Sequence, residues 1–182
     1  MKHIVVKIDW YGPYKNMAEA KGAAQSDFDD GLYLAIGSLK NKKKNKIRYV
    51  GLSKNLAGRV SNTHETLSKL VEPYEIWLGE VGSTGIAGPK TQTTDLHLDL
   101  AEWCHVYFID PYLNDKKRYS PPKKPVTVIN HWWEKDYESL LKKRPHKDWP
   151  DVIDFLGKEY GAKVVWFGGE CDRWKPKHFK NL

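Results

Sequence analysis

Cysteine is scarce in this chain of 182 residues, which contains only Cys104 and Cys171. Two cysteines so far apart in the sequence predict neither a disulfide framework nor a thiolate zinc site. No apolar run approaches the roughly 18 residues of a membrane-spanning helix, charged residues stand close to the first methionine, and we find no internal repeat. We therefore expect a soluble, cytoplasmic protein without a membrane partner.

Acidic residues are also outnumbered, since Lys and Arg total 30 against 23 Asp and Glu, for a net charge of +7. This excess favours a polyanionic partner such as nucleic acid, although composition alone does not separate DNA, RNA and an acidic membrane surface. Aromatic residues make up 13% of the chain and include eight tryptophans, which argues against disorder. The length suits one domain over residues 1–182.

Two apolar runs in the first third of the chain predict a hairpin. Over 31–37 apolar side chains alternate in the way of a strand, so that Tyr33 faces away from the leucines and the isoleucine. A lysine-rich loop over 40–46 then leads to a second strand over 47–52. The pattern indicates an antiparallel pair with a long basic tip.

A helix and a third strand are predicted next. Ser53 or Asn55 is expected to cap a helix that carries Arg59 in its first turns and ends at Pro73. The third strand is predicted over 74–81.

Glu102 lies on a second predicted helix, which begins at Thr94 or Asp95 after a loop over 82–94 rich in Gly, Ser and Thr. At about 100° per residue, Asp95 and Asp99 fall on a solvated acidic face, whereas Glu102 lies where that face turns apolar. A carboxylate in such a place needs a cation or a strong hydrogen-bond donor.

The outer parts of the chain carry further predicted elements. These are a strand over 3–10, a helix over 17–25, a basic Pro-rich linker over 115–125, a strand over 126–129, a helix over 148–161 and a strand over 163–167. Neither end contains a motif that indicates a chemistry.

The tripeptides Gly31-Leu32-Tyr33 and Tyr49-Val50-Gly51 resemble the paired signature of the GIY-YIG nucleases. Four polar residues follow in that family's order, namely Arg59, His64, Glu102 and Asn130. The resemblance implies an α+β fold whose core, residues 30–133, is a three-stranded antiparallel sheet flanked by helices. Residues 1–29 and 134–182 would be extensions that pack on this core.

The resemblance also implies a role for each residue of the set. Tyr33 would be the general base toward water, Tyr49 would contact phosphate or water, and Arg59 would clamp the scissile phosphate. His64 would relay protons, Asn130 would close the site, and Glu102 would hold a single Mg²⁺ or Mn²⁺ ion. The reaction would be hydrolysis of DNA to a 5′-phosphate and a 3′-hydroxyl.

Physical chemistry fits these roles unevenly. The planar fork of arginine suits a phosphate, and one carboxylate with several waters is normal for Mg²⁺. A tyrosine pKa of about 10 lies some three units above neutrality, so a cation must lower the pKa of Tyr33, and the metal, Arg59, Lys46 or Lys54 are candidates. His64 follows Arg59 by five positions, about 140° around an ideal helix, so a half-buried histidine is an alternative to a relay. Asn130 has an alternative role as a turn cap.

Basic residues in the two loops and beside the second strand are predicted to contact phosphates. They are Lys40, Lys42, Lys43, Lys44, Lys46, Lys54, Lys116, Lys117 and Arg118. The sequence thus predicts a metal-dependent DNA endonuclease, with RNA not excluded as a substrate and a homodimer as one expected assembly. Two alternatives stay open: a catalytically silent nucleic-acid-binding module with the same fold, and a scaffold whose charge only confers solubility.

Overall fold

A computed structural model describes residues 3–61, 64–83 and 94–179, and its strands form one mixed sheet. The strands are β1 (Ile4–Tyr14), β2 (Gly31–Leu39), β3 (Lys42–Ser53), β4 (Leu70–Ser83), β5 (Val126–Trp133), β6 (Val152–Gly157), β7 (Gly161–Trp166) and β8 (Glu170–Trp174). The helices are α1 (Met17–Asp27), α2 (Leu56–Arg59) and α3 (Asp95–Ile109), with 3₁₀ turns at Leu67–Lys69 and Pro176–Phe179.

The predicted fold class is wrong. In place of a three-stranded sheet flanked by helices, the described residues form an eight-stranded sheet in the order β3-β2-β4-β1-β5-β6-β7-β8. Strand β1 is antiparallel to β4 and parallel to β5, and the other neighbours are antiparallel. The predicted strands β2, β3 and β4 are contiguous, but β1 covers the β4 edge that a three-stranded sheet would leave with unpaired backbone groups.

The segments predicted as extensions are therefore parts of the sheet. Strand β1 lies near its middle, and residues after 133 supply β6, β7 and β8. The helix predicted over 148–161 is wrong, because β6 occupies this range and pairs with β5. Ile153 and Phe155, two residues apart, are buried on one face, and this two-residue period is that of a strand.

The helix predicted from Ser53 or Asn55 to Pro73 is also wrong. Helix α2 ends at Arg59 after one turn, and Leu70 already pairs with Leu39 as part of β4. The segment that begins at Leu70 forms a strand although its apolar residues have helical spacing, because each strand residue gains a cross-strand neighbour in β2. As a result His64 does not share a helix with Arg59, and the angle calculated from their spacing does not apply.

Other predictions are confirmed: α1 and α3 form close to the expected bounds, with Thr94 as the N-cap of α3, and β1, β2, β3, β5 and β7 are strands. Most of the loop predicted over 82–94 lies outside the described residues. In the part of the chain that the structure describes, no helix is long and apolar enough to cross a membrane.

Strand β2 is buried on both faces of the sheet. Helix α3 packs on one face, against the leucines of β2 and the tryptophans of β1 and β4. Helices α1 and α2 pack on the other, with Tyr33 and Ala35 of β2 between them and the sheet. Tyr33 thus lies opposite the Leu and Ile face, as the alternation predicted, and it is fully buried.

Candidate active site

Four of the predicted catalytic side chains meet on the α2 face of the sheet. Arg59 Nε donates to the Tyr33 hydroxyl oxygen at 3.1 Å, and His64 Nε2 lies 2.9 Å from the same oxygen. The ring centroids of Tyr33 and Tyr49 are 5.6 Å apart, and those of Tyr49 and His64 are 5.4 Å apart. We call these four residues the tyrosine cluster.

Strand register brings the two tyrosines together. Tyr33 is paired with Gly51 and Ala35 with Tyr49, so the tyrosines are diagonal neighbours on one face of β2 and β3. Gly51 leaves the space in which their rings meet: an added Cβ would lie 2.6 Å from Tyr33 Cζ and 2.7 Å from Tyr49 Cε1. Real carbon contacts are about 3.5–4.0 Å. Glycine is thus required at this position of the second tripeptide, because the rings of Tyr33 and Tyr49 approach the backbone too closely for a side chain.

His64 has a defined tautomer in this arrangement. Its Nδ1 accepts from the Leu67 backbone N–H at 3.3 Å, which leaves the ring proton on Nε2 if the ring is neutral. Burial, helped by the charge of Arg59, lowers the pKa of His64, so the neutral ring is favoured. Nε2–H therefore donates to Tyr33, and two N–H donors point at one phenolic oxygen.

The electrostatic balance at Tyr33 is dominated by burial. Burial raises the pKa of the Tyr33 hydroxyl, Tyr49 raises it further, and Arg59 opposes them. In the free protein Tyr33 is thus a neutral phenol whose oxygen already has the donors that a phenolate would need. Of the cations considered from the sequence, Arg59 is the one in contact, because Lys46 pairs with Asp148 and Lys54 with Asp95.

Glu102 approaches the same part of β3 from α3. Its Oε1 accepts from the backbone N–H of Leu52 at 3.1 Å, and Leu52 directly follows Gly51, over which the Tyr33 ring lies. Its Oε2 contacts the ammonium of Lys117, which also bonds to Asp99 Oδ1 at 2.6 Å. Both the donor and the cation that its helical position calls for are present.

A divalent ion fits Glu102 under one condition. The Lys117 ammonium between two carboxylates shows that positive charge is favoured here, but a metal ion would have to replace it on Oε2. Within the described residues no group of three His, Cys, Asp or Glu side chains is placed to hold a metal. An ion in place of this ammonium would be held by the carboxylate of Glu102, with that of Asp99 also in reach, and by water, as is usual for Mg²⁺.

Asn130 is not brought to the tyrosine cluster. It lies in β5, three strands away from β2, and is buried. Its Oδ1 accepts from Trp10 Nε1 at 2.8 Å and lies 3.0 Å from His105 Nε2, and its Nδ2 donates to the Pro150 carbonyl at 2.9 Å. The amide completes a polar network in the core.

The predicted phosphate-binding residues divide into two groups. Five have partners: Lys42 lies over the Tyr112 ring, and Lys46, Lys54, Lys117 and Arg118 form ion pairs. Lys40, Lys43, Lys44 and Lys116 are exposed and have no ion pair within residues 3–61, 64–83 and 94–179. The hairpin that presents three of them is held by buried Arg48, which donates to the carbonyls of Gly37, Lys42 and Lys44.

Sequence reasoning missed a second basic surface, formed by Lys142, Lys143 and Lys147. The run Lys142-Lys143-Arg144-Pro145-His146-Lys147 was the available signal. It lies in the C-terminal part of the chain, where no motif indicated a chemistry.

Comparison with models of protein families, with curated proteins and with solved structures gives no match for this chain.

Proposed function

We propose that the protein is an endonuclease that hydrolyses phosphodiester bonds in DNA, by chemistry like that of the GIY-YIG nucleases it resembles. The observation that carries the proposal is the convergence of Arg59 and His64 on the Tyr33 oxygen. The Glu102 carboxylate accepts from the backbone N–H of Leu52, the residue of β3 that follows Gly51. Residues distant in sequence supply a base and a phosphate ligand on the α2 face of the sheet, and an anionic cation site on the α3 side of the same strand, β3. These are the parts that phosphodiester hydrolysis needs.

In this mechanism Tyr33, as a phenolate, takes a proton from the attacking water. The water oxygen bonds to phosphorus as the bond from phosphorus to the 3′ oxygen breaks. The 3′ oxygen takes a proton from solvent and leaves as a hydroxyl, while the 5′ oxygen keeps the phosphate. Arg59 is exposed, so the guanidinium that contacts Tyr33 is also accessible to a phosphate. A divalent ion held by Glu102 would stabilise charge on the phosphate when bound.

His64 holds the Tyr33 oxygen by donating through Nε2, and this N–H stabilises negative charge on that oxygen. Because the pKa of Tyr33 is raised, the phenolate fraction increases tenfold per pH unit across neutrality. The cleavage rate of saturated enzyme should rise accordingly between pH 6 and 9. A rate that falls over this range would contradict Tyr33 as the base.

A catalytically silent nucleic-acid-binding module is the second candidate. It is favoured by the complete burial of Tyr33 and by the Lys117 ammonium on Glu102, both of which describe a closed site. Exposed lysines at the hairpin tip serve either function.

A cleavage assay separates the candidates. Supercoiled plasmid, oligonucleotides and RNA are incubated at low salt with Mg²⁺ or with chelator. Tyr33→Phe and Glu102→Ala should each lower the rate by about 10²-fold or more, since each removes a group that acts on the reacting atoms. Tyr160→Phe, a change on an exposed tyrosine, is the matched control and should cut at the wild-type rate.

Cutting that survives both site substitutions would rule out this mechanism. Salt-sensitive binding without cutting would support the silent module. Absence of any binding at low salt would leave only the scaffold.

A further inference from the structure

A groove of about 580 Å³ opens at the end of β5, and no residue of the tyrosine cluster lines it. We call it the lysine groove. Its wall includes Trp132, Leu140, Lys142, Lys143, Lys147 and Phe167.

Positive charge in the lysine groove is uncompensated. Lys142, Lys143 and Lys147 are exposed, and in the described part of the chain none of them forms an ion pair. The carboxylate that also lines the groove, Asp151, is committed to Arg144 at 2.8 Å. Three free ammonium groups along one groove match the phosphates of a polyanion.

Phe167 projects from the turn between β7 and β8 with 65% of its surface exposed. Its backbone is fixed on both sides, because its N–H donates to Asp151 Oδ2 at 2.7 Å and its carbonyl accepts from Arg144 Nη2 at 2.6 Å. Asp151 itself is 8% exposed. The structure therefore presents an aromatic ring to solvent on a rigid support, which is the arrangement of a stacking platform for a base.

The basic surface continues from the groove to the hairpin tip. His146 Nε2 hydrogen-bonds to the Asn45 carbonyl at 3.3 Å, and Lys46 pairs with Asp148 at 3.0 Å. These contacts join the segment that carries Lys147 to the hairpin that carries the exposed Lys44.

We propose that the lysine groove binds a single-stranded stretch of nucleic acid, with phosphates on the three lysines and one base stacked on Phe167. Bases in a duplex already stack on each other, so an exposed ring can take a base only from an unpaired strand. The inference rests on the proposed function for the class of partner. It adds a binding site for unpaired nucleotides apart from the tyrosine cluster.

Binding measurements test the stacking part directly. Fluorescence anisotropy is recorded in chelator, which suppresses metal-dependent cutting, with single-stranded and duplex DNA of one sequence. Phe167→Ala should weaken single-strand binding about tenfold and leave duplex binding within about twofold. Tyr160→Ala removes another exposed aromatic, outside the lysine groove, and should change neither.

The charge part is tested by salt dependence. Replacing Lys142, Lys143 and Lys147 together by alanine should flatten the log–log salt slope for single-stranded DNA by about 2, at 0.7 per lost contact. The control replaces three exposed lysines outside the groove, Lys158, Lys163 and Lys177, and carries the same change in charge.

Three results would overturn the inference: equal slopes for the two triple variants, equal losses of single-strand and duplex binding in Phe167→Ala, or no binding of single strands by the wild type. The proposed function fails separately. If the wild-type protein binds as described but cuts no substrate, the proposed binding site in the lysine groove stands and the proposed nuclease function is contradicted.

Discussion

The substitution Gly51→Ala isolates the geometry of the tyrosine cluster from the stability of the fold. A Cβ at Gly51 would lie 2.6 Å from both Cζ and Oη of Tyr33 and 2.7 Å from a carbon of Tyr49. Restoring ordinary contact at about 3.5 Å requires the rings to move by roughly 1 Å. A displacement of this size at a catalytic group costs about 10²-fold in rate.

The stability cost of Gly51→Ala should be at the low end of about 1–3 kcal/mol for overpacking, because the atoms that must yield are the far ends of side chains. For a chain of this size 1 kcal/mol lowers Tm by about 2–4 °C. We thus expect a folded protein with a rate near 1% of wild type.

Gly37→Ala is the matched control for this change. Its added Cβ would lie 2.9 Å from Tyr74 Cβ, which is a comparable clash in the same hairpin but involves no residue of the tyrosine cluster. This variant should lose stability, at least as much as Gly51→Ala, and keep its rate per folded molecule. Plasmid cleavage under saturating substrate and calorimetric Tm are the measurements. A folded Gly51→Ala protein that cuts at the wild-type rate would refute the assigned position of the Tyr33 hydroxyl.

Three further predictions concern other parts of the site and core. Burial lowers the pKa of His105, although the acceptor oxygens of Ala101 and Asn130 beside its two ring nitrogens favour the charged form, so the unfolded chain binds more protons below about pH 6.5. The free energy of unfolding should keep its full value above pH 7 and fall as the pH drops, and the fall should be less steep in His105→Gln. A free energy of unfolding that rises from pH 7 to pH 5 would show that the folded ring keeps its second proton. Lys117→Met should lower the Mg²⁺ concentration for half-maximal cleavage, because no ammonium then competes for Glu102, and an unchanged requirement would contradict ion binding there. Asn130→Ala should lower the free energy of unfolding, measured by urea titration, by about 2 kcal/mol or more, because Trp10 and the Pro150 carbonyl lose their hydrogen bonds to the amide. Unchanged stability together with lost cleavage would instead indicate that Asn130 acts in catalysis.

The local part of the site was readable from the sequence. Alternation over 31–37 placed Tyr33 opposite the Leu and Ile face, and the structure agrees. The spacing of the two tripeptides indicated a hairpin, which forms, but the loop predicted over 40–46 is wrong, because β3 begins at Lys42 and Lys42 pairs with Leu39. Both are properties of short segments, where side-chain periodicity decides which face a residue takes. The amphipathic position of Glu102 likewise called for a cation, and Lys117 provides one.

The sequence by itself determined faces, hairpins and the order of polar residues, whereas the tertiary structure decided which of them meet. Helical spacing separated His64 from Arg59, yet the chain leaves the helix after one turn and both reach Tyr33. Asn130 followed in the expected order, but β1 and β4 lie between its strand and β2. Periodicity specifies how a strand faces, while pairing with a neighbour distant in sequence depends on every competing edge, and no single segment encodes that outcome.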